Sequence, residues 1–233
     1  MNNKICVATS SRADYGLLKS LLIKLEKSCE CDLHLLVTGT HLIKKYGYTI
    51  NEILQDQYKR IHRLKVNISS KTNLDTNTSI GLMIKNSSNL LNQIKPKLLL
   101  VMGDRFEIFS IVIAAYVLNI PVVHFSGGET TEGALDEGFR HSITKMSYIH
   151  FTSNKIHKKR VIQLGENPAN VHNVGEIGLD NIINYNLFSK KTLSNKYNIK
   201  FNKYNYLVTL HPITLEKNSS LKNISVLLKA LSK

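Results

Sequence analysis

The chain has 233 residues, 42% of them hydrophobic, and 31 Lys and Arg against 17 Asp and Glu, for a formal net charge of +14. That length and composition suit a soluble globular protein of one large domain or two modest ones, with a sizeable core. Its three cysteines, Cys6, Cys29 and Cys31, rule out a disulfide framework and offer no paired zinc motif, which points to a reducing, cytoplasmic setting.

Met1 to Lys4 lead into only a short apolar run, so the start does not read as a secretory leader. The long apolar stretch 108–125 approaches the length of a membrane span. Asn119 and Pro121 split it, and it reads as a buried helix followed by a buried strand. The basic excess could favour polyanions. However, only six of the basic residues are Arg, the Lys are scattered outside 155–160 and 190–191, and no aromatic-interleaved basic stripe is present. The charge therefore reads as compositional bias, with neither nucleic acid nor membrane as a partner.

In chain order, residues 4–9 form a short apolar strand, and Ser10-Ser11-Arg12-Ala13-Asp14 supplies a turn and a helix start. Leu17, Leu18, Leu21, Leu22 and Leu25 then recur at helical spacing. Residues 32–37 are the next strand, ending at Thr38-Gly39-Thr40-His41, and 61–68 a third. A helix is expected over 81–94, then strands 97–102 and 120–125 around a helix 106–118. A helix over 134–146, a strand 148–152, a helix 156–164 and a strand 171–174 follow. Strands alternating with helices predict an α/β fold with a doubly wound parallel sheet, Rossmann-like, whose strand-end loops gather on one rim. Residues 1–175 thus read as one domain and 176–205 as connecting helices with a Lys/Asn-rich linker. A further strand (206–210) and helix (221–231) within 206–233 read as the first unit of an incomplete second domain.

Two apolar strands run directly into charge. Residues 98–102 end at Gly103-Asp104-Arg105, and 120–125 end at a stretch that includes Gly127, Gly128, Glu129, Asp136, Arg140 and His141. Acids at the C-terminal ends of buried strands suit a binding crevice better than a core. Ser10, Arg12 and free N–H groups at a helix start could hold a phosphate, although Ser11 and Asp14 equally read as a capping box. Asp104 could be a plain helix cap, Glu129 a solvated loop acid, and Asp136 an intrahelical partner of Arg140. Gathered on one rim, carboxylates that repel one another can share a proton and so provide an acid and a base. His211, at the end of the apolar run 206–210, joins the candidates by position.

The segments Ser11-Arg12-Ala13-Asp14-Tyr15-Gly16-Leu17, Met102-Gly103-Asp104-Arg105-Phe106-Glu107, His124-Phe125-Ser126-Gly127-Gly128-Glu129, Asp136 to Lys145, Gly175-Glu176 and His211-Pro212 resemble, in order and spacing, the hydrolysing branch of the UDP-N-acetylglucosamine 2-epimerase family. The resemblance implies the N-terminal portion of a longer, two-domain enzyme with a glycosyltransferase-B-like architecture, here with a truncated second domain. It implies a UDP-sugar substrate, no cofactor and no metal, and association as a homodimer. The reaction it implies takes UDP-N-acetylglucosamine and water to N-acetylmannosamine and UDP in sialic acid-type sugar biosynthesis. The N,N'-diacetylbacillosamine analogue, or a role as a non-catalytic nucleotide-sugar-binding module, are the alternatives. Residue by residue it makes Asp104, Glu129, Asp136 and His211 catalytic, and Ser10, Arg12, Arg105, Arg140 and His141 substrate-binding. Relatives place an acid where this chain has Ser126.

Overall fold

Parallel strands buried on both faces need near-continuous apolar runs, and the computed structural model, which describes residues 3–66, 72–184, 187–210 and 219–232, builds its sheet from such runs. The strands are β1 (Asn3–Thr9), β2 (Cys31–Val37), β3 (Ile61–Arg63), β4 (Leu98–Met102), β5 (Val122–Phe125), β6 (Ile149–Thr152) and β7 (Val171–Asn173). They pair in parallel in the order β3-β2-β1-β4-β5-β6-β7. The helices are α1 (Arg12–Lys27), α2 (Ile50–Gln55), α3 (Asn73–Ile94), α4 (Phe106–Val117), α5 (Asp136–Lys145) and α6 (Lys155–Gln163). Beyond the sheet come α7 (Leu179–Asn184), α8 (Lys190–Tyr197) and α9 (Ser219–Leu231).

The core has two layers, one on each face of the sheet. Met83 and Leu91 of α3, Ile108, Ile111 and Val112 of α4 and Ile143 of α5 cover one face over Ala8, Leu99 and Val101. Tyr15, Leu18 and Leu22 of α1 and Ile50 and Ile53 of α2 cover the other over Val7, Leu35 and Val37. Successive connections run outward from β1 in one direction and from β4 in the other. The strand order therefore reverses between β1 and β4, and loops there splay apart to leave a crevice at the C-terminal edge.

Several expectations change in detail. The strand expected over 61–68 stops at Arg63, because this edge strand has a single neighbour and pairs only with Leu35–Val37 of β2; residues 67 and 68 lie outside the described residues. The helix expected from 81 starts at Asn73, where Thr72 and Asp75 form a reciprocal capping box. Its first turns are too exposed to show apolar periodicity, with Leu74 at 74%. The helix expected from 134 starts at Asp136.

Residues 206–210 form no strand, so the strand of the expected strand-helix unit in 206–233 is absent from the described residues, while its helix is present as α9. Tyr206 and Leu207 are 83% and 98% exposed. Strand propensity is realised only with a ladder partner, and this run has none among the described residues. The linker does dock at its start: Asn181 of α7 hydrogen-bonds the Ser20 hydroxyl (2.6 Å) and the carbonyl of Gly16 on α1 (2.5 Å).

Buried histidines give the fold an acid sensitivity. His124 on β5 has no exposure, and burial pushes its imidazole down to about 4. His34, His41, His62 and His150 are pushed down for the same reason. The unfolded chain protonates these rings near pH 6.5, while the folded chain resists until lower pH. The stability they contribute is present above that point and is lost as pH falls through it. Denaturant titration is expected to show His124→Gln losing roughly 2 kcal/mol less than wild type between about pH 7.5 and pH 5; equal losses in the two proteins would remove His124 as a source of the sensitivity.

Candidate active site

The β1–α1 turn is set by one carboxylate. Asp14 accepts hydrogen bonds from the Thr9 hydroxyl (2.6 Å), from the N–H and hydroxyl of Ser10 (both 2.9 Å), from the Ser11 N–H (3.0 Å) and from the Tyr15 N–H (2.7 Å). Ser11 returns a bond to the Asp14 N–H, completing a capping box. His41, expected on the rim, is fully buried, lying between Thr9 (3.1 Å) and Thr49 (2.7 Å). It braces the turn from below.

A cleft of about 350 Å³ opens at the sheet's reversal point. It is lined by Ser11, Ala13, Asp14 and Leu17 from the first turn, by Met102 to Arg105 after β4, by Ser126 and Glu129 after β5, by Asp136 and Arg140 of α5, and by Glu176 after β7. The chain reverses at Gly103 (φ +83°) and leaves β5 through Ser126 (φ +63°) and Gly128 (φ +80°). Ser126 is a non-glycine residue held in the left-handed region, which costs energy and is often found at functional loops. Gly128 admits no side chain: a Cβ there would collide with the carbonyl oxygen of His157 on α6. Beneath the loop, the Nε2–H of His124 donates to the carbonyl of Gly103 (3.0 Å). That leaves Nδ1 as an acceptor, 3.3 Å from the Thr144 hydroxyl.

The electrostatic centre is Arg140, only 4% exposed. Its guanidinium pairs with the Asp104 carboxylate and with Glu137 (3.1 Å), and donates to the Glu129 carbonyl (2.9 Å) and the Thr131 hydroxyl (2.9 Å). The structure corrects two sequence-based alternatives. Asp104 is ion-paired with an Arg but is not the cap of α4, a position taken by Arg105, and the acids that meet Arg140 are Asp104, 36 positions away, and Glu137, one turn back, rather than Asp136.

Arg105 is held by Glu107, which is completely buried, through bonds of 2.8 and 3.2 Å. Burial works to lower the Arg105 guanidinium, but Glu107, Asp14 and Asp136 outweigh it and hold it above its ordinary value. Asp136 moves the other way: burial, then the neighbouring Asp104, raise its carboxyl above the ordinary carboxylate range. Neither α4 nor α5 has a side-chain cap at its N-terminus. Their first-turn N–H groups and the positive end of each helix dipole are therefore not consumed by a capping side chain. A cleft with an ion-paired carboxylate, a carboxyl that takes up a proton readily, an Arg and two such helix ends can bind an anionic group and move a proton next to it.

Of the residues expected from sequence, Asp104, Arg105, Glu129, Asp136 and Arg140 meet in this cleft. Ser10 lies just beneath it, fully buried against Asp14. Arg12 is exposed on the first turn of α1 and does not line the cleft. His141 faces back along α5 to Glu137 (3.0 Å) and does not line it either. His211 lies outside the described residues. Among the lining residues that were not expected at the site are Asp14, read only as a cap, Ser126 and Glu176. The last two sat in motifs already singled out, and strand-end position was the signal that could have found them. Among the described residues, no group of three or more His, Cys, Asp or Glu is arranged to hold a metal ion.

Known proteins of similar sequence and fold agree with this architecture. Polysialic acid biosynthesis protein P7 of Escherichia coli is 41% identical over 229 residues, 98% of this chain and 58% of that protein. The GDP/UDP-N,N'-diacetylbacillosamine 2-epimerase (hydrolyzing) of Campylobacter jejuni is 36% identical over 228 residues, 98% of this chain and 59% of that protein. The chain therefore spans less than two thirds of the length of these relatives. The crystal structure of UDP-GlcNAc 2-epimerase from Neisseria meningitidis bound to UDP-GlcNAc matches with a TM-score of 0.67 at 18% identity, over 77% of this chain and 48% of that one. The UDP-N-acetylglucosamine 2-epimerase from Rickettsia bellii matches with a TM-score of 0.69 at 20% identity, over 86% and 52%. The structural matches establish the shared fold. With the family profile described as UDP-N-acetylglucosamine 2-epimerase matching residues 23–233, the chain belongs to that family.

Proposed function

We propose that this chain supplies the N-terminal wall of a hydrolysing UDP-sugar 2-epimerase, acting on UDP-N-acetylglucosamine and water to give N-acetylmannosamine and UDP in sialic acid-type biosynthesis. The observation that carries this reading is the meeting of Asp104, Glu129 and Asp136 in one cleft beside Arg105 and the uncapped starts of α4 and α5. The 41% identity to a polysialic acid biosynthesis protein supports the sugar. The 36% identities to two bacillosamine epimerases make the N,N'-diacetylbacillosamine nucleotide the second candidate substrate.

The chemistry has two stages. A base removes the proton from C2 of the sugar while the C1–O bond to the diphosphate breaks, leaving a C1–C2 double bond and free UDP. Water then adds its oxygen to C1, and an acid returns a proton to the opposite face of C2. Arg105 and the N–H groups opening α4 and α5 stabilise the leaving diphosphate. Asp136, whose carboxyl is raised by burial and by Asp104, holds a proton more readily than an ordinary carboxylate and so suits a proton-transfer role. Asp104, ion-paired with Arg140, orients the loop that carries Glu129. Arg12 and His141 act on the substrate only from the margin of this wall, and Ser10 acts through Asp14, which it holds from beneath.

No helix among the described residues is long and apolar enough to cross a membrane; we place the enzyme in the cytoplasm, working as a homodimer on a free nucleotide sugar.

In the enzyme at its relatives' full length, Asp136→Asn is expected to lower turnover about a hundredfold, near 3 kcal/mol of transition-state stabilisation. Its unfolding free energy should stay within about 1 kcal/mol of wild type. Wild-type turnover in that variant, followed as UDP release, would exclude Asp136 from the proton steps. On residues 1–233 alone, Arg105 meets the diphosphate in a half-open cleft where charge pairs are weak. Calorimetry is expected to show UDP-N-acetylglucosamine binding at least about tenfold weaker than to the full-length enzyme; equal affinity would mean that this wall is sufficient by itself.

A further inference from the structure

Glu129 has partners on α6 that the proposed reaction does not yet use. Its Oε1 accepts a hydrogen bond from the Ser153 hydroxyl at 3.1 Å and lies 3.8 Å from Nδ1 of His157. The same serine oxygen is 2.8 Å from that Nδ1. Glu129, Ser153 and His157 thus form a continuous chain from the cleft to the start of α6, where the His157 side chain is 22% exposed.

The loop is fixed in this position. Gly128 sits against the backbone of α6 so closely that a Cβ would strike the His157 carbonyl, and Arg160 of α6 donates to the Gly128 carbonyl. Asn154 caps α6 by accepting the His157 N–H at 2.9 Å, and its side-chain amide nitrogen, a donor only, lies 3.1 Å from Nδ1 and 3.4 Å from Nε2 of His157; it competes with the serine for the ring, and the relay requires the Nδ1 hydrogen to go to the serine. The cations that flank the chain are Arg140, bonded to the Glu129 carbonyl, and Arg160.

We propose that Ser153 and His157 form a proton relay that links Glu129 to solvent. A serine hydroxyl has one hydrogen and can accept another, so its direction is set by its neighbours. With Glu129 ionised, the hydroxyl donates to the carboxylate and the Nδ1–H of His157 donates to the hydroxyl. Transfer moves the serine hydrogen to Glu129 and the Nδ1 hydrogen to serine. An imidazolium and a carboxylate become a neutral imidazole, protonated at Nε2, and a carboxylic acid. The vacant nitrogen is then Nδ1, which takes a proton from solvent when the ring turns that edge outward and so restores the imidazolium before the next transfer. The Glu129 side chain is itself 34% exposed in the open cleft, so the relay serves the stage at which bound sugar covers it, recharging Glu129 from the α6 side. It rests on the reading of Glu129 as an acid–base group of the cleft, and Ser153 and His157 are positioning and relay residues that need not touch the sugar.

The test has two arms. In nitrogen-15 NMR of the 233-residue chain at mildly alkaline pH, the relay predicts the Nδ1–H tautomer in wild type and in Ser153→Thr, which keeps the hydroxyl. Ser153→Ala should shift the ring to the Nε2–H tautomer. An Nε2–H tautomer in wild type, or one unmoved by Ser153→Ala, overturns the relay whatever reaction the site performs. In the full-length enzyme, His157→Gln is expected to lower kcat about tenfold or more with KM unchanged, and added imidazole to restore part of it. Unchanged kcat, or a loss that imidazole cannot repair, also overturns it. Absence of UDP release by wild type would instead sink the proposed reaction, and the tautomer arm would still decide the link.

Discussion

A buried guanidinium organises this cleft. Taking an arginine out of water costs several kcal/mol unless carboxylates and hydrogen-bond acceptors replace its hydration. Arg140 obtains those partners from three separate places: Asp104 at the end of β4, Glu129 and Thr131 in the loop after β5, and Glu137 one turn back on α5. Its bonds join these segments into one surface, across loops that turn at Gly103, Ser126 and Gly128. It also explains why so many acids tolerate one cleft. Asp104 is neutralised by Arg140 and Glu107 by Arg105, and it is burial, followed by the neighbouring Asp104, that raises the Asp136 carboxyl.

The same arrangement connects fold to chemistry. The order reversal between β1 and β4 opens the sheet edge, and the strand ends deliver their polar residues to it. Helices α4 and α5 begin there without side-chain caps, which leaves their N-termini free of a capping side chain at the cleft. Below the cleft, His124 and His41 are buried polar braces. His124 holds the Gly103 carbonyl, and His41 bridges Thr9 and Thr49. Their neutrality at ordinary pH is a consequence of burial, so acid would act on the floor of the site before it acted on the apolar layers.

Much of this could be read in the sequence because parallel strands advertise themselves as apolar runs, and their C-terminal ends then locate a rim. Asp104, Arg105, Glu129 and Asp136 were found in that way. The partner of Arg140 was not, because local spacing pointed to Asp136 four residues away, whereas packing of α5 over β4 and β5 brings Asp104 to it. Asp14 was visible as a cap but not as a cleft wall, since a capping box is a local signal and the cleft is not. Helix α2, Ile-Asn-Glu-Ile-Leu-Gln, is too short to show a period. The run 206–210 carries strand propensity, but among the described residues it has no strand to pair with, and no ladder forms there. The Glu129–Ser153–His157 chain depends on a loop meeting a helix start, which no periodicity records.

The account stands on the claim that the Asp104–Arg140 pair holds the cleft together, and a double-mutant cycle on unfolding free energy measures it directly. Asp104→Asn, Arg140→Met and the double variant of residues 1–233 would be compared with wild type by denaturant unfolding at neutral pH. The account predicts a coupling energy of about 2 kcal/mol or more between the two positions, with each single variant losing a large part of the pair's stabilisation. Single losses that add to within about 0.5 kcal/mol would mean that the two residues do not act as a unit, and that the cleft is held by something other than this ion pair.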